Sequence, residues 1–232
     1  MSDRKEQISP NFDLMLQSRD VSDVLLVETF LREFYPFLFR LGWLLYRDAT
    51  LAEQIAQETL AEATSKRYTY WGEPDLRVWL AGFAIRSARG SQSANQSERL
   101  ADRSLWKHLQ SLPEDIRFAF ILQHGFNFSE EEIAVILSVS EAYTKGYLDV
   151  AALSIPINIP DADDGILVMD VDHREDQLYK EIIHSLCLGM PEGYVISDGQ
   201  GEFVDLILKK AGKPHRRLGK FTFLGKRATI PR

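Results

Sequence analysis

The chain has 232 residues, of which 45% are apolar and 26% charged, a composition that fits a globular protein with one large or two small cores. It contains a single cysteine, Cys187, which excludes an intramolecular disulfide and a cysteine-based metal site within one chain and favours a reducing cytoplasm. The polar N-terminus lacks the apolar stretch of a signal peptide, and no apolar run is long enough to span a bilayer, so no membrane partner is expected.

Charge is distributed unevenly along the chain. Of the 27 Lys and Arg residues, nine lie in residues 206–232, a stretch that contains no acid. The first 205 residues therefore hold 18 basic against 34 acidic side chains. Because such a surface repels the phosphate backbone unless basic groups cluster locally, composition counts against a simple DNA-binding protein.

Residues 20–88 are predicted to form a helical domain. Apolar side chains recur at three- and four-residue spacing from Val24 to Leu45, as on the buried face of a helix. Pro36 is expected either to kink this stretch or to begin a new helix. Two further helices and an aromatic loop that contains Gly and Pro complete the domain: 49–65, 75–88, and Tyr68–Pro74 between them.

A second helical domain is predicted over residues 105–154, after a Ser-rich flexible linker at 89–104. In this second domain, Ser129 followed by Glu132 has the spacing of a capping box at a helix start. A three-residue break, Ser138–Ser140, separates this helix from the next. A short helix, a tight turn and a second helix predict a helix-turn-helix; the alternative is an ordinary helical hairpin in a core.

Residues 161–232 are predicted to form a small α/β extension with a basic tail. Its strands and helices alternate over 165–169, 174–188, 194–196, 201–211 and 220–224. The first half is similar to a response-regulator receiver, a resemblance that would make Asp170 and Asp172 magnesium ligands. The third strand is not followed by the phosphoacceptor Asp of that family, so we expect a structural or regulatory appendage. The tail either supplies phosphate contacts or folds back onto the acidic body.

Two stretches resemble the sigma-70 family, especially its extracytoplasmic-function type. Region 4 of that family is similar to residues 112–151, LPEDIRFAFILQHGFNFSEEEIAVILSVSEAYTKGYLDVA. Region 2 is similar to residues 26–63, LVETFLREFYPFLFRLGWLLYRDATLAEQIAQETLAEA, and to residues 75–88, DLRVWLAGFAIRSA. The resemblance implies a mainly α fold with two helical domains, a region 2 bundle and a region 4 helix-turn-helix, to which the small α/β C-terminal segment is added.

The resemblance also implies a surface for RNA polymerase core. The family docks on the polymerase clamp with the motif Ala-Glu-Asp-x-x-Gln-Glu, and residues 52–58 read AEQIAQE. Glu53, Gln57 and Glu58 match this motif, whereas Gln54 replaces its Asp. The four side chains are predicted to share one polar helix face, which can bind a basic partner; the alternative is an ordinary solvated face.

In the family the second helix of region 4 reads the −35 promoter element, and the region 2 helix after the loop faces the −10 element. The corresponding DNA-binding candidates here are Arg86, Arg89, Ser140, Tyr143, Thr144, Lys145 and Tyr147. Residues 129–152 contain five acids and one base, Lys145. Because phosphate contacts supply most of the affinity, promoter binding is predicted to be weak or polymerase-dependent. Tyr68, Tyr70 and Trp71 either stack on unpaired bases or anchor the loop in the core.

The resemblance implies a cytoplasmic sigma factor that binds core polymerase and directs transcription initiation at promoter DNA. The alternative is a sigma-factor mimic, a partner-switching regulator that binds an anti-sigma factor without reading DNA. The acidic second helix and the receiver-like C-terminal segment favour the mimic, and the retained Glu53, Gln57 and Glu58 favour the sigma factor. No nucleophile–base pair and no phosphate-binding glycine loop is found, so neither catalysis nor a cofactor is expected.

Overall fold

The computed structural model describes residues 15, 16, 18, 22–90, 109–154, 179, 183, 184, 187, 190 and 200–212. Throughout these residues the regular elements are helical, which confirms the mainly α class. The helices are α1 (Asp23–Tyr46), α2 (Ala49–Ser65), α3 (Leu76–Gly90), α4 (Glu114–Phe126), α5 (Glu130–Leu137), α6 (Glu141–Ser154) and α7 (Gln200–Lys210). The three predicted strands lie outside the described residues, whereas the helix predicted over 201–211 is confirmed as α7.

Helix α1 begins at a cap and continues through its proline. The Ser22 hydroxyl accepts a hydrogen bond from the Leu25 amide at 3.2 Å, which satisfies one of the free donors at the helix start. Pro36 lies inside α1, so the prediction that it begins a new helix is wrong. Buried side chains flank it on both sides, among them Phe30 and Leu44, and one continuous helix keeps both ends of this stripe in the same core.

A tight turn brings α2 back along α1. Arg47 ends α1 in the left-handed region, at φ 52°. The Asp48 carboxylate then accepts hydrogen bonds from the Thr50 and Leu51 amides at 2.9 and 3.1 Å, which caps α2. Gly42 lets the helices approach closely, since a Cβ at this position would lie 2.7 Å from a backbone atom of α2, the Ala52 Cα.

The predicted pair of short helices joined by a tight turn is found as α5 and α6. The Ser129 hydroxyl accepts from the Glu132 amide at 3.2 Å, and the Glu132 carboxylate accepts from the Ser129 amide at 2.8 Å. These two bonds form the predicted capping box. Ser138 ends α5 with φ 59°, and α6 begins at Glu141.

Helices from the two predicted domains are in contact, and their buried side chains belong to one cluster. Helix α3 packs against α5, and α1 packs against α4. The Tyr46 hydroxyl of α1 lies 2.8 Å from the Ala88 carbonyl oxygen and 3.1 Å from Glu114 Oε1, so its one proton is shared between α3 and α4. Burial, together with the Glu114 charge, raises the pKa of Tyr46 well above its usual range, which keeps that proton in place.

Helix α3 extends two residues past its predicted end at residue 88. Helix α3 ends at Gly90, whereas the linker was expected from residue 89. The Arg89 side chain explains the extension, because its guanidinium pairs with Asp115 of α4 at 2.6 Å and donates to the Leu137 carbonyl of α5 at 3.4 Å. Residues 91–104 lie outside the described part of the chain.

Candidate functional site

The four candidate polymerase-binding residues occupy one face of α2 as two hydrogen-bonded pairs. The Gln57 amide donates to Glu53 Oε1 at 2.9 Å, and the Gln54 amide donates to Glu58 Oε1 at 3.0 Å. Each pair is separated by four residues, one helical turn, which is the spacing that brings side chains together. Glu58 also accepts a hydrogen bond from the Ser87 hydroxyl of α3.

Part of this α2 face is covered. Gln54 is exposed and Glu53 and Glu58 are half-buried, but the Gln57 side chain is only 8% exposed. Helix α7 packs against α1 and α2, and Lys210 Nζ of α7 lies 3.9 Å from Glu58 Oε1. A partner that docks here therefore meets Gln54 and the outer edges of the two carboxylates.

The sequence left open that the basic stretch folds back onto the acidic body, and the contact of Lys210 with Glu58 is of that kind, but sequence reasoning could not find which residues meet. The helix itself is visible as an apolar pattern, but α2 and α7 are far apart in the chain, and no local pattern links Glu58 to Lys210. Phe203 of α7 lies edge-on to Tyr35 of α1, with ring centroids 5.5 Å apart. Val204, Ile207 and Leu208 are buried beside it.

The two DNA-binding candidates on α3 differ in their surroundings. Arg86 is half-exposed, lies 3.6 Å from Glu62 and stacks over Phe83 at 4.5 Å. This loose pairing at the surface leaves its charge accessible. Arg89 instead joins α3 to α4 and α5 through the contacts described above, so a structural role accounts for its position.

On α6 the structure separates outward from inward side chains. Ser140, Tyr143 and Lys145 are exposed, and Tyr147 is half-buried. The DNA-binding candidate Thr144 is buried, at 0% exposure, and its hydroxyl donates to the Ser140 carbonyl at 3.4 Å. Tyr143 is 66% exposed.

The outer surface of α6 is apolar and acidic. Besides Tyr143, it presents Val150 and the 90% exposed Leu153. Glu141 and Asp149 are also exposed on this helix. Apolar side chains gathered on an exposed helix are typical of protein–protein contacts, and the carboxylates disfavour phosphate.

The aromatic loop is divided between a buried and an exposed part. Tyr70 is buried and packs against Trp79 of α3, with ring centroids 5.1 Å apart. It therefore anchors the loop in the core. Trp71 is 79% exposed. Tyr68 is also exposed, but the Arg67 guanidinium lies over its ring at 4.6 Å, so Trp71 is the more open of the two for stacking on a partner.

Within the described ranges, no group of His, Cys, Asp and Glu side chains is placed to hold a metal ion. Asp170 and Asp172 lie outside those ranges. None of the described helices combines the length and the apolar character needed to cross a bilayer.

No model of a known protein family matches this sequence, and no curated protein matches it either. The surfaces of α2 and α6 are therefore the basis for assigning a partner.

Proposed function

We propose that the protein is a sigma factor similar to the extracytoplasmic-function type, which binds RNA polymerase core through α2 and directs initiation at promoter DNA. The observation that carries the proposal is the paired polar face of α2, where Glu53, Gln54 and Glu58 remain reachable from solvent. Carboxylates held at fixed positions on a helix suit a basic helical partner, because charge-assisted hydrogen bonds are the stronger class.

In this proposal residues 20–88 act as the region 2 domain and residues 105–154 as the region 4 domain. Residues 161–232 form the small α/β extension, and the protein works in the cytoplasm without a cofactor. The helix-turn-helix of α5 and α6 supports the assignment of the second domain, since its capped first helix and tight turn are typical of DNA-binding hairpins.

Promoter binding in this proposal depends on polymerase. Lys145 is the single base of α6, and with Ser140 and Tyr143 it can reach a few phosphates or base edges. So few contacts give weak binding in isolation. Docking of α2 on polymerase raises the local concentration of α6 at the promoter, so weak contacts suffice.

A second candidate function is favoured by the outer surface of α6. Tyr143, Val150 and Leu153 are exposed there beside acids, as expected of a surface that binds protein rather than DNA. A sigma-factor mimic would use this surface to bind an anti-sigma factor, and it would neither bind polymerase productively nor start transcription.

The test measures binding of the full chain to core polymerase, followed by run-off transcription on a pool of genomic promoter fragments. Gln54→Lys places a positive charge on the exposed part of the α2 face and should weaken binding by about tenfold, whereas Gln54→Asp should strengthen it, because the expected partner is basic. Gln110→Lys is the matched control, since Gln110 is exposed and lies outside this face.

Polymerase binding that is about tenfold weaker in Gln54→Lys but unchanged in Gln110→Lys, together with transcription, supports the sigma factor. Failure of the unmodified chain to bind polymerase contradicts it. Binding to an anti-sigma factor without transcription supports the mimic.

A further inference from the structure

A cationic cleft of about 500 Å³ lies apart from the α2 and α6 surfaces. It is formed where α1, the start of α3 and the end of α4 meet, next to residues 183 and 184. Four basic or imidazole side chains line it: Arg40, Arg77, His124 and His184. None of its described lining residues is acidic, although the whole chain carries a net charge of −7.

Aromatic stacking fixes the two guanidinium groups of the cleft. Arg40 stacks over Phe126 at 5.5 Å, and Arg77 stacks over Phe37 at 4.8 Å. The two rings are themselves perpendicular, with centroids 5.2 Å apart. A cation–π contact places the cation over a ring and supplies no oxygen acceptor, so these contacts leave the guanidinium N–H groups in need of another acceptor.

Neither of these guanidinium groups has a carboxylate partner in the described part of the chain. Other arginines do, as Arg67 lies 3.4 Å from Asp23 and Arg89 lies 2.6 Å from Asp115. The Nε of Arg40 is shielded from solvent and makes no hydrogen bond within the described residues. The Nε atoms of Arg67 and Arg117 are shielded in the same way. Because this nitrogen has no accessible surface, an anion in the cleft would interact with the charge of the Arg40 guanidinium and not with this donor.

We propose that the cleft binds a small phosphate-bearing molecule. Two guanidinium edges, with imidazole donors beside them, match the several acceptor oxygens of a dianionic phosphate better than the two oxygens of a single carboxylate. The volume lies in the range of small-molecule sites and leaves room for an organic part next to Phe37 and Phe126. The site is independent of polymerase, promoter and anti-sigma binding.

Such a ligand would bridge helices from the two predicted helical domains. Arg40 and Arg77 belong to α1 and α3, whereas His124 belongs to α4. A molecule held by all three side chains binds the folded chain and not the unfolded one, so it should raise the thermal midpoint with its concentration.

The test is isothermal titration calorimetry of the full chain with inorganic pyrophosphate, and with citrate as a carboxylate of comparable charge. Pyrophosphate should bind, and Arg40→Gln or Arg77→Gln should each weaken it by about 10- to 100-fold, because each removes charge-assisted hydrogen bonds. Arg32→Gln should leave binding unchanged, since Arg32 is on α1 but exposed elsewhere. Arg40→Lys keeps the positive charge but lacks the paired N–H donors of a guanidinium, so its loss of pyrophosphate affinity should be smaller than that of Arg40→Gln.

Absence of pyrophosphate binding would overturn the proposal, and so would equal binding by Arg40→Gln and Arg32→Gln. Citrate binding as tight as pyrophosphate would also overturn it, because the cleft would then select charge and not phosphate. Circular dichroism on each variant identifies loss of fold, and Arg77→Gln provides a second measure if Arg40→Gln does not fold.

Discussion

Helices α2 and α6 are both expected to meet the transcription machinery, yet their surroundings differ. Helix α2 is packed by α1, α3 and α7, whereas α6 packs mainly against α4 and α5. Helix α2 is enclosed, yet it keeps a polar face. Its Gln57 is buried and hydrogen-bonded to Glu53, although an apolar side chain would be easier to bury at this position. Open α6 exposes apolar side chains where DNA would require basic ones. Under the proposed function, the comparison indicates that the surface of α2 suits its expected partner better than the surface of α6 suits DNA.

The largest effect is expected on stability, from a substitution that crowds the contact between α1 and α2. Gly42→Val places side-chain atoms against the backbone of α2, where even a Cβ would lie 2.7 Å from Ala52 Cα. Overpacking of this kind should lower the free energy of unfolding by about 3 kcal/mol. Urea denaturation followed by circular dichroism measures it.

Gly82→Val is the control for this substitution. An added Cβ at Gly82 meets only the flexible end of Arg86, at 3.7 Å, so stability should stay within about 1 kcal/mol of the unmodified chain. An equal loss of stability in the two variants would mean that close packing between α1 and α2 at Gly42 is not the cause.

A smaller effect, on affinity for DNA, is expected when two acidic residues of α6 are replaced by lysine. Glu141→Lys with Asp149→Lys should raise affinity for duplex DNA by about 10- to 100-fold at 0.1 M salt and steepen the salt dependence, since each new phosphate contact releases a counterion. Fluorescence anisotropy over a salt series measures both quantities.

The same charge change can be made away from α6 with Glu33→Lys and Glu202→Lys, two exposed positions on α1 and α7. This pair should raise DNA affinity much less. If the gain is the same, net charge explains it, and the proposed placement of α6 against DNA is contradicted.

The smallest effect is expected on stability, from Gly146→Ala in α6. A Cβ at Gly146 has no atom within 4 Å, so the change should stabilise the protein by up to about 1 kcal/mol through helix propensity. Thermal unfolding should show a rise of about 2–4 °C. Ala142→Gly, at an exposed position of the same helix, should lower the midpoint. A lower midpoint in Gly146→Ala would show that this side of α6 is covered.

Local signals predicted the hairpin of α5 and α6 well. Ser129 and Glu132 specify where α5 begins, because both partners of the capping box lie within four residues. The rotation of α6 was harder, since consecutive residues lie about 100° apart around a helix. Packing against α4 and α5 decided that Thr144 turns inward and Tyr143 outward, and neither contact is encoded in the helix itself.

Long-range contacts account for what sequence reasoning missed. The pairing of Arg89 with Asp115, the burial of Gln57 and the cleft between Arg40 and Arg77 each join segments far apart in the chain. Local periodicity carries no information on such pairs. Of the two outcomes predicted at Pro36, a kink or a new helix, the new helix does not occur, because burial along α1 outweighed the local cost of proline in a helix.

Helix α7 is also the last of the described helices to leave the ribosome. Until Gln200–Lys210 has been made, the nascent chain holds the apolar patch around Tyr35 without its cover. Exposed patches of this kind recruit chaperones or aggregate, and contacts between distant segments form slowly. A premature stop codon ahead of Gln200 should therefore yield an insoluble product and not a shorter working protein.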